Sequence, residues 1–315
     1  MFRKILMVLI HLFLMNQIGG FLPSSWGQSI SELKLDASRV SWKCLSFQAK
    51  NRQNEVAIQL QLESLPSALV EAALIKSEQG DPIPLSSPIA YKISAITMVE
   101  SDFVSDFNVD NQVWFNPVDA SALGRMRLRR GRNDFKKIYR FTRQGVFRHQ
   151  REPEHKNQFS LDPDKWTNLK DTFYPYDLAQ LGCPNVSERL VLMYIVSAAE
   201  ISESSPPLSI CVFGRRQLHH VKLVPKGLEK LEVDYIEKNQ HSEVRRNETV
   251  NALKIAFEFQ PMKSDLEDDE NFSFLGLHED IALFIDPRSN LPIQVSGKIH
   301  MVGKVTLKLI EVQLN

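Results

Sequence analysis

The strongest constraint on the fold is an alternation of apolar and polar residues with a period of two. In the stretch IALFIDPRSNLPIQVSGKIHMVG (281–303), the apolar residues occupy odd positions and the polar residues even ones: Leu291, Ile293, Val295, Ile299 and Met301 against Gln294, Ser296, Lys298 and His300. Successive strand side chains point to opposite faces, so the pattern predicts a strand with one buried face. The preceding apolar run 281–285 and the turn residues 286–290 predict a hairpin, with Pro292 near the start of its second strand.

The same signal returns along the chain and predicts about fifteen strands. The clearest early example is 56–63, where Val56, Ile58, Leu60 and Leu62 alternate with smaller or polar residues. A change of phase after Leu309 predicts a β-bulge near residues 310–311. Further runs predict strands at 40–47, 69–76, 90–99, 113–115, 126–130, 138–142, 190–198, 208–213, 218–224, 231–236 and 253–259.

Helix signals are few, the clearest being a short segment near 176–181 that Gly182 ends. The fold class predicted is all-β, with a large, strongly curved antiparallel sheet or open barrel and a few short helices. A curved sheet needs a helix or plug to fill its concave side, and the sequence offers little helix. An apolar groove that accepts acyl chains is therefore one expectation.

The N-terminal segment has the pattern of a secretory signal peptide. Arg3 and Lys4 precede an apolar run at 5–15, and Ser25 and Gly27 place small residues before a cleavage site at Gln28. An uncleaved anchor is the alternative, although this run is shorter than the roughly 20 residues that span a bilayer. We expect a signal peptide at 1–27, a leader at 28–37, one β-rich domain at 38–315, and a periplasmic location without a transmembrane span in the mature chain.

Three cysteines, Cys44, Cys183 and Cys211, follow the predicted cleavage site. An oxidising compartment permits at most one bridge among three thiols, and Cys183 with Cys211 is the predicted pair. Three separate buried thiols are the alternative. No sequence neighbour places a base beside any of them, so a catalytic thiol is not expected.

The charge balance and the motifs argue against several classes of protein. Lys plus Arg and Asp plus Glu are 38 each, so no overall field favours nucleic acid. Hydrolase, nucleotide-binding and paired-cysteine motifs are absent from the sequence. His219 and His220 are adjacent and point to opposite faces of a strand, which does not suit a shared metal. We expect no catalytic residues, no cofactor and no metal.

The stretch GRMRLRRGRNDFKK contains the one candidate ligand-binding row. Arg125, Arg127 and Arg129 fall on one face of a predicted strand, about 7 Å apart, while Met126 and Leu128 fall on the other. A solvent-facing row of guanidinium groups suits the phosphate or carboxylate groups of envelope lipids or anionic glycans. The alternative is a solvated outer face balanced by the acidic stretch at 265–270.

Several stretches together resemble a known family. They are FNPVDASALGRMRLRRGR, KKIYRFTRQGVFRHQREP, FYPYDL, CVFGRRQLHHVKL and LPIQVSGKIHMVGKVTLKL. This set resembles the bacterial envelope family DUF3108, a group of uncharacterised exported proteins, over about residues 40–314. The resemblance implies an exported β-rich domain and supplies no reaction and no catalytic residues.

Three functions remain open from the sequence. The first is a non-catalytic periplasmic protein that binds an apolar or amphiphilic envelope component. The second is an interaction protein that assists envelope or polysaccharide assembly by docking another envelope protein along exposed strand edges. The third is a hydrolase of envelope glycans that uses two carboxylates, which scattered acidic residues neither support nor exclude.

Overall fold

The computed structural model describes residues 33–50, 54–101, 107–131, 133–262, 272–299 and 303–315. Its first eight strands are β1 Trp42–Lys50, β2 Asn54–Pro66, β3 Ile89–Ser101, β4 Phe107–Phe115, β5 Ala122–Arg130, β6 Phe135–Phe141, β7 Gly145–Glu152 and β8 Asn168–Pro175. The others are β9 Ser187–Glu188, β10 Leu208–Phe213, β11 Leu218–Lys238, β12 Glu243–Pro261, β13 Glu279–Asp286, β14 Leu291–Ile299 and β15 Gly303–Leu314. The predicted signal peptide and the acidic stretch 263–271 lie outside the described residues.

The fifteen strands of the described ranges form one sheet. It consists of an N-terminal and a C-terminal series of strands, which are joined where β1 pairs with β15. The order runs from β8 back to β1, continues into β15, and runs back from β15 to β9. Neighbours pair antiparallel except β9 with β10. A further parallel pairing joins β11 to β15 and closes a ring of the strands from β11 to β15. The fold is the predicted all-β class with a large curved sheet and few short helices.

The C-terminal strands follow the sequence prediction in detail. Asp286 pairs with Leu291 across the predicted hairpin, and Pro292 is the second residue of β14. Ser46 pairs with Glu311 while Phe47 pairs with Leu309, so Ile310 is the extra residue of a bulge. The predicted bulge near 310–311 is confirmed, because a one-residue change of phase in the apolar pattern requires one unpaired residue.

Two of the predicted strands are helical. Segment 69–76 lies mostly in helix α1, Ser67–Ala73, and segment 190–198 forms a 3-10 turn, Arg189–Val191, followed by helix α3, Leu192–Ala198. A short apolar run has no reliable period, so the sequence alone does not separate a buried helix from a buried strand. The predicted helix near 176–181 is confirmed as α2, Leu178–Leu181, with Gly182 in the left-handed conformation at its end.

Helix α3 lies within the main core on the concave side of the sheet. All seven of its side chains are buried, and all but Ser197 belong to one apolar cluster with residues of β1–β4 and β10–β15. Trp42 Nε1 donates to Ser197 Oγ at 3.0 Å, and Tyr194 Oη donates to the Pro117 carbonyl at 2.8 Å. A helix that is apolar all round must be buried, and α3 supplies the plug that the sequence analysis expected to be missing.

The predicted disulfide is present. Cys183, which follows α2, is bonded to Cys211 in β10, while Cys44 has a free thiol. The bridge ties the α2 turn to one end of the sheet. No helix among the described residues is long and apolar enough to cross a bilayer. Residues Ser31–Asn315 form one compact unit.

Candidate functional site: a basic cluster on the inner face of β5–β7

Three strands bring five cations onto one face of the sheet. Directly opposed residues in an antiparallel ladder share a face. Arg125 lies opposite Tyr139, which lies opposite Arg148, and one step along the strands Arg127 lies opposite Lys137. This is the inner face, because Val113, the partner of Arg125 in β4, is fully buried in the core. We call this set the basic cluster: Arg125, Arg127, Arg129, Lys137 and Arg148.

Burial falls along β5, so the cluster has a deep end and a solvent end. Arg125 is only 2% exposed and Arg148 8%, whereas Arg127, Arg129 and Lys137 are largely buried but still reached by solvent. The expectation that all three arginines face solvent is therefore wrong for Arg125. The alternation placed them correctly on one face, but that face is the concave one, because the core residues of neighbouring strands share it.

Arg125 is held by a buried ion pair at the deep end. Its Nη1 lies 2.7 Å from Glu188 Oε1, and its guanidinium carbon lies 3.8 Å from the centre of the Tyr139 ring. Glu188 is also used locally, since its Oε2 accepts a 2.6 Å hydrogen bond from the Leu190 amide at the start of the 3-10 turn. The pair joins β5 to β9, and Glu188 Oε1 also lies 3.9 Å from Arg189 Nε.

Arg127 and Lys137 have no carboxylate partner within the described ranges. The Arg127 guanidinium carbon lies 5.4 Å and the Lys137 Nζ 4.2 Å from the centre of the Phe135 ring, so both cations contact the same aromatic ring. By contrast Lys136, on the opposite face of β6, forms an ion pair with Asp164 at 2.6 Å. Two neighbouring positive charges with only an aromatic neighbour are an anion-binding arrangement.

The pKa values of both side chains show the electrostatic cost of this arrangement. Burial first, and then the positive charge of Arg148, Arg215 and Arg127, lower the pKa of Lys137 to about 8. Burial and the positive charge of Arg189, Arg125 and Arg129 lower the pKa of Arg127 to about 10. Each cation is destabilised by its surroundings, so an added anion at this position would be stabilised by the same field.

The pKa of the buried Tyr139 phenol responds to the same positive charges. Burial alone raises its pKa, but the positive charges of Arg125, Lys137 and Arg148 outweigh burial, and the net pKa is lowered. A buried phenol with a lowered pKa requires a strongly positive environment. The inner face of β5–β7 is therefore electropositive from Tyr139 toward the solvent end.

The remaining cations are fixed by aromatic rings and by backbone. Arg129 lies with its guanidinium carbon 4.3 Å from the centre of the Phe107 ring. Arg148 donates to Thr172 Oγ1 at 3.0 Å, and Arg189 donates to Ser273 Oγ at 2.7 Å. A ring and a neutral oxygen orient Arg148 without cancelling its charge, whereas Arg189 Nε also lies 3.9 Å from Glu188 Oε1.

Lys137, Arg148 and Glu188 were not among the residues selected from sequence. Lys137 had a local signal, because it has the strand parity that faces Arg127 once β5 and β6 form a hairpin. Glu188 had none, because it lies 63 residues from Arg125 in sequence. The described residues contain no group of three or more His, Cys, Asp or Glu side chains that could hold a metal. His219 and His220 are both buried in β11.

Comparison with known proteins assigns no family to the chain. No protein-family model matches the chain, and no curated protein matches it. Among solved structures the chain is similar to a β-barrel-like protein of the domain of unknown function DUF1849 from Brucella abortus, with 7% sequence identity and a TM-score of 0.45, over 90% of this chain and 100% of that one. The resemblance to DUF3108 stays a prediction from sequence.

Proposed function

We propose that this protein is an exported, non-catalytic binding protein of the bacterial envelope, and that its ligand is amphiphilic with an anionic group. The observation that carries the proposal is the pair Arg127 and Lys137, two cations on a concave face without a carboxylate partner among the described residues. Leaving two charges uncompensated and partly desolvated costs stability, and ligand binding is a reason for a protein to carry that cost.

The surroundings of the pair support an amphiphilic ligand. Phe135 lies beneath both cations, and Phe107 lies beside Arg129 at the same solvent end. A polar head would meet the cations while apolar atoms contact the two rings. The core beyond the deep end is filled by the apolar cluster that includes Tyr139, Phe141 and Phe213, so we expect only the head and the first atoms of an acyl chain to enter.

Export is supported by the sequence and by the disulfide. The N-terminal pattern at 1–27 is that of a signal peptide, and the bond between Cys183 and Cys211 suits an oxidising compartment such as the periplasm. Sequencing of the secreted chain should begin at or near Gln28. Recovery of a chain that still begins at Met1 from the membrane fraction would contradict the periplasmic location.

Vesicle binding tests the function. Wild-type protein should bind vesicles that contain an anionic lipid, should bind neutral phosphatidylcholine vesicles much less, and should lose affinity as salt rises. The variant R127Q/K137Q should lose the anionic binding. A matched control, K304Q/K308Q, removes the same charge from exposed positions on β15 and should bind like wild type. Equal loss in both variants would show non-specific attraction and would refute this site.

Native mass spectrometry of protein purified from its own periplasm separates the other functions. A co-purified anionic lipid supports the proposal. A co-purified protein chain would favour the interaction protein that docks along strand edges, for which the terminal strand β8 offers an exposed segment at 168–171. Release of sugars from envelope glycans by the wild-type protein would favour the hydrolase and overturn the non-catalytic role.

A further inference from the structure

We infer that the group bound between Arg127 and Lys137 is a phosphoryl group with two negative charges, an inference that rests on the proposed function. The number of charges, the directions of the donors and the neighbours in the same row all favour such a group. Free phosphate, a phosphorylated lipid head and a phosphorylated glycan share this chemistry, and the test below separates the first two.

The charge count favours a dianion over a carboxylate. Within the described part of the chain, neither Arg127 nor Lys137 has an ion pair, and the buried acid Glu188 contacts Arg125 and the Leu190 amide. A carboxylate brings one negative charge and would leave one of the two cations uncompensated. A phosphoryl dianion compensates both, and the surrounding positive field stabilises the second charge.

The donor directions favour a tetrahedral group. Arg127 and Lys137 are directly opposed across β5 and β6, so their Cα atoms are about 5 Å apart and their side chains leave the same face. A guanidinium fork takes two oxygens of a phosphate in a bidentate contact, and an ammonium takes a third as a point charge. A carboxylate has only two oxygens, which the fork alone would occupy.

The neighbours in the same row complete the polar surface. Asn111 lies beside Arg127 on β4, and Gln150 and Lys170 continue the row beyond Lys137 on β7 and β8. Asn111 Oδ1 is buried without a hydrogen-bond partner among the described residues, and this acceptor suits a hydroxyl group of the ester substituent, since the phosphoryl dianion itself has no proton to donate. Lys170 is exposed, so the row ends at solvent and leaves an entry for the ester substituent.

Calorimetry with three small anions tests the inference. Glycerol phosphate and sulfate should bind the wild-type chain, whereas acetate should not. In R127Q/K137Q the affinity for both dianions should fall roughly a hundredfold, since two charge-assisted hydrogen bonds are lost. The K304Q/K308Q control should keep the wild-type affinity. Equal or tighter binding of acetate would overturn the phosphoryl assignment.

The pH dependence gives a second readout. The phosphate ester loses its second proton near pH 6, so its affinity should rise from about pH 5 to 7, whereas sulfate carries two charges throughout and should show no rise. Above about pH 8 both affinities should fall as Lys137 loses its proton, because burial and the positive charges of Arg148, Arg215 and Arg127 lower its pKa to about 8 against the opposing effect of Tyr139. A flat profile for glycerol phosphate would contradict recognition of the dianion.

Vesicles separate failure of this inference from failure of the proposed function. We compare phosphatidylcholine vesicles doped with phosphatidic acid, a phosphoryl amphiphile, with vesicles doped with oleate, a carboxylate amphiphile. Binding to phosphatidic acid alone, with glycerol phosphate binding as well, supports both proposals. Equal binding to oleate leaves the proposed function standing and refutes the phosphoryl group. Binding to neither vesicle, with the soluble anions bound, removes the amphiphilic ligand and identifies free phosphate esters as the ligand class.

Discussion

Replacing Arg125 by Met should destabilise the protein strongly. Arg125 is 2% exposed, and its carboxylate partner Glu188 has a side-chain exposure of 1%. Removing one member of a buried pair leaves the other charge without compensation, which costs roughly 3–5 kcal/mol. Met fills most of the volume of the arginine, so the loss of stability comes from the uncompensated charge of Glu188 more than from a cavity. At roughly 2–4 °C per kcal/mol, the melting temperature should fall by roughly 6–20 °C.

A neighbour in the same strand gives the matched control. Arg127 faces the same side of β5, has no carboxylate partner in the described residues, and has its pKa lowered by burial and by other cations. R127M removes a charge that the folded state disfavours, so the free energy of unfolding should stay the same or rise slightly. The two substitutions change the same residue type by the same atoms. The carboxylate partner and the depth of burial differ.

A double-mutant cycle separates the pair from other effects of the substitution. In R125M/E188Q the uncompensated carboxylate is gone, and the oxygen of the introduced side-chain amide can still accept from the Leu190 amide. The double variant should therefore recover most of the stability that R125M loses. Urea unfolding followed by circular dichroism measures all four proteins, with the disulfide kept oxidised.

The argument would be refuted by equal shifts in R125M and R127M, or by a double variant as unstable as the sum of the two single variants. The first result would mean that position in the strand matters more than the partner. The second would mean that Arg125 and Glu188 act independently, against the 2.7 Å contact.

Three further predictions follow from other parts of the structure. Reduction of the Cys183–Cys211 bridge, whose cysteines are 28 residues apart, should lower the free energy of unfolding by ~3.5 kcal/mol, measured in urea with and without reductant. The C44S variant should lose the same free energy on reduction, and no change on reduction would contradict the bridge. S197A removes the hydrogen-bond acceptor of the buried Trp42 indole and should cost about 1–3 kcal/mol, whereas the exposed control S204A should cost almost nothing in the same assay. Lys137 has a pKa of about 8 in the folded state and a higher pKa in the unfolded state, so the unfolded state binds more protons between these two values and stability should rise with pH across that window. The K137M variant should show a weaker rise, and an unchanged slope of unfolding free energy against pH would count against the buried lysine.

Local patterns in the sequence were sufficient for much of the fold. The alternation at 291–299 and 305–314 predicted two strands and the bulge at Ile310, because side-chain direction in a strand depends only on parity. The cysteine count limited the disulfides to one. Strands β7 and β8 were not predicted. Most positions of β7 are buried on both faces and most positions of β8 are exposed, so neither strand carries a clear alternation.

Helix α3 shows a limit of local patterns. Residues 192–198 are apolar at almost every position, and such a run suits both a buried strand and a buried helix. The concave side of the curved sheet requires a compact plug, and the partners of Trp42 and Tyr194 fix the segment there. That requirement exists only after the sheet has formed.

The basic row shows the division most clearly. The sequence by itself determined that Arg125, Arg127 and Arg129 share a face of β5, because parity is local and fixed in a strand. Only the tertiary structure decided that this face is the inner one, since curvature depends on how the strands of the whole sheet close around the core. Glu188 meets Arg125 from 63 residues away, and Lys137 meets Arg127 without an acid beside them in the described chain. The charge of each side chain follows from the sequence, but the opposite charge that compensates it depends on neighbours that folding brings within a few ångströms.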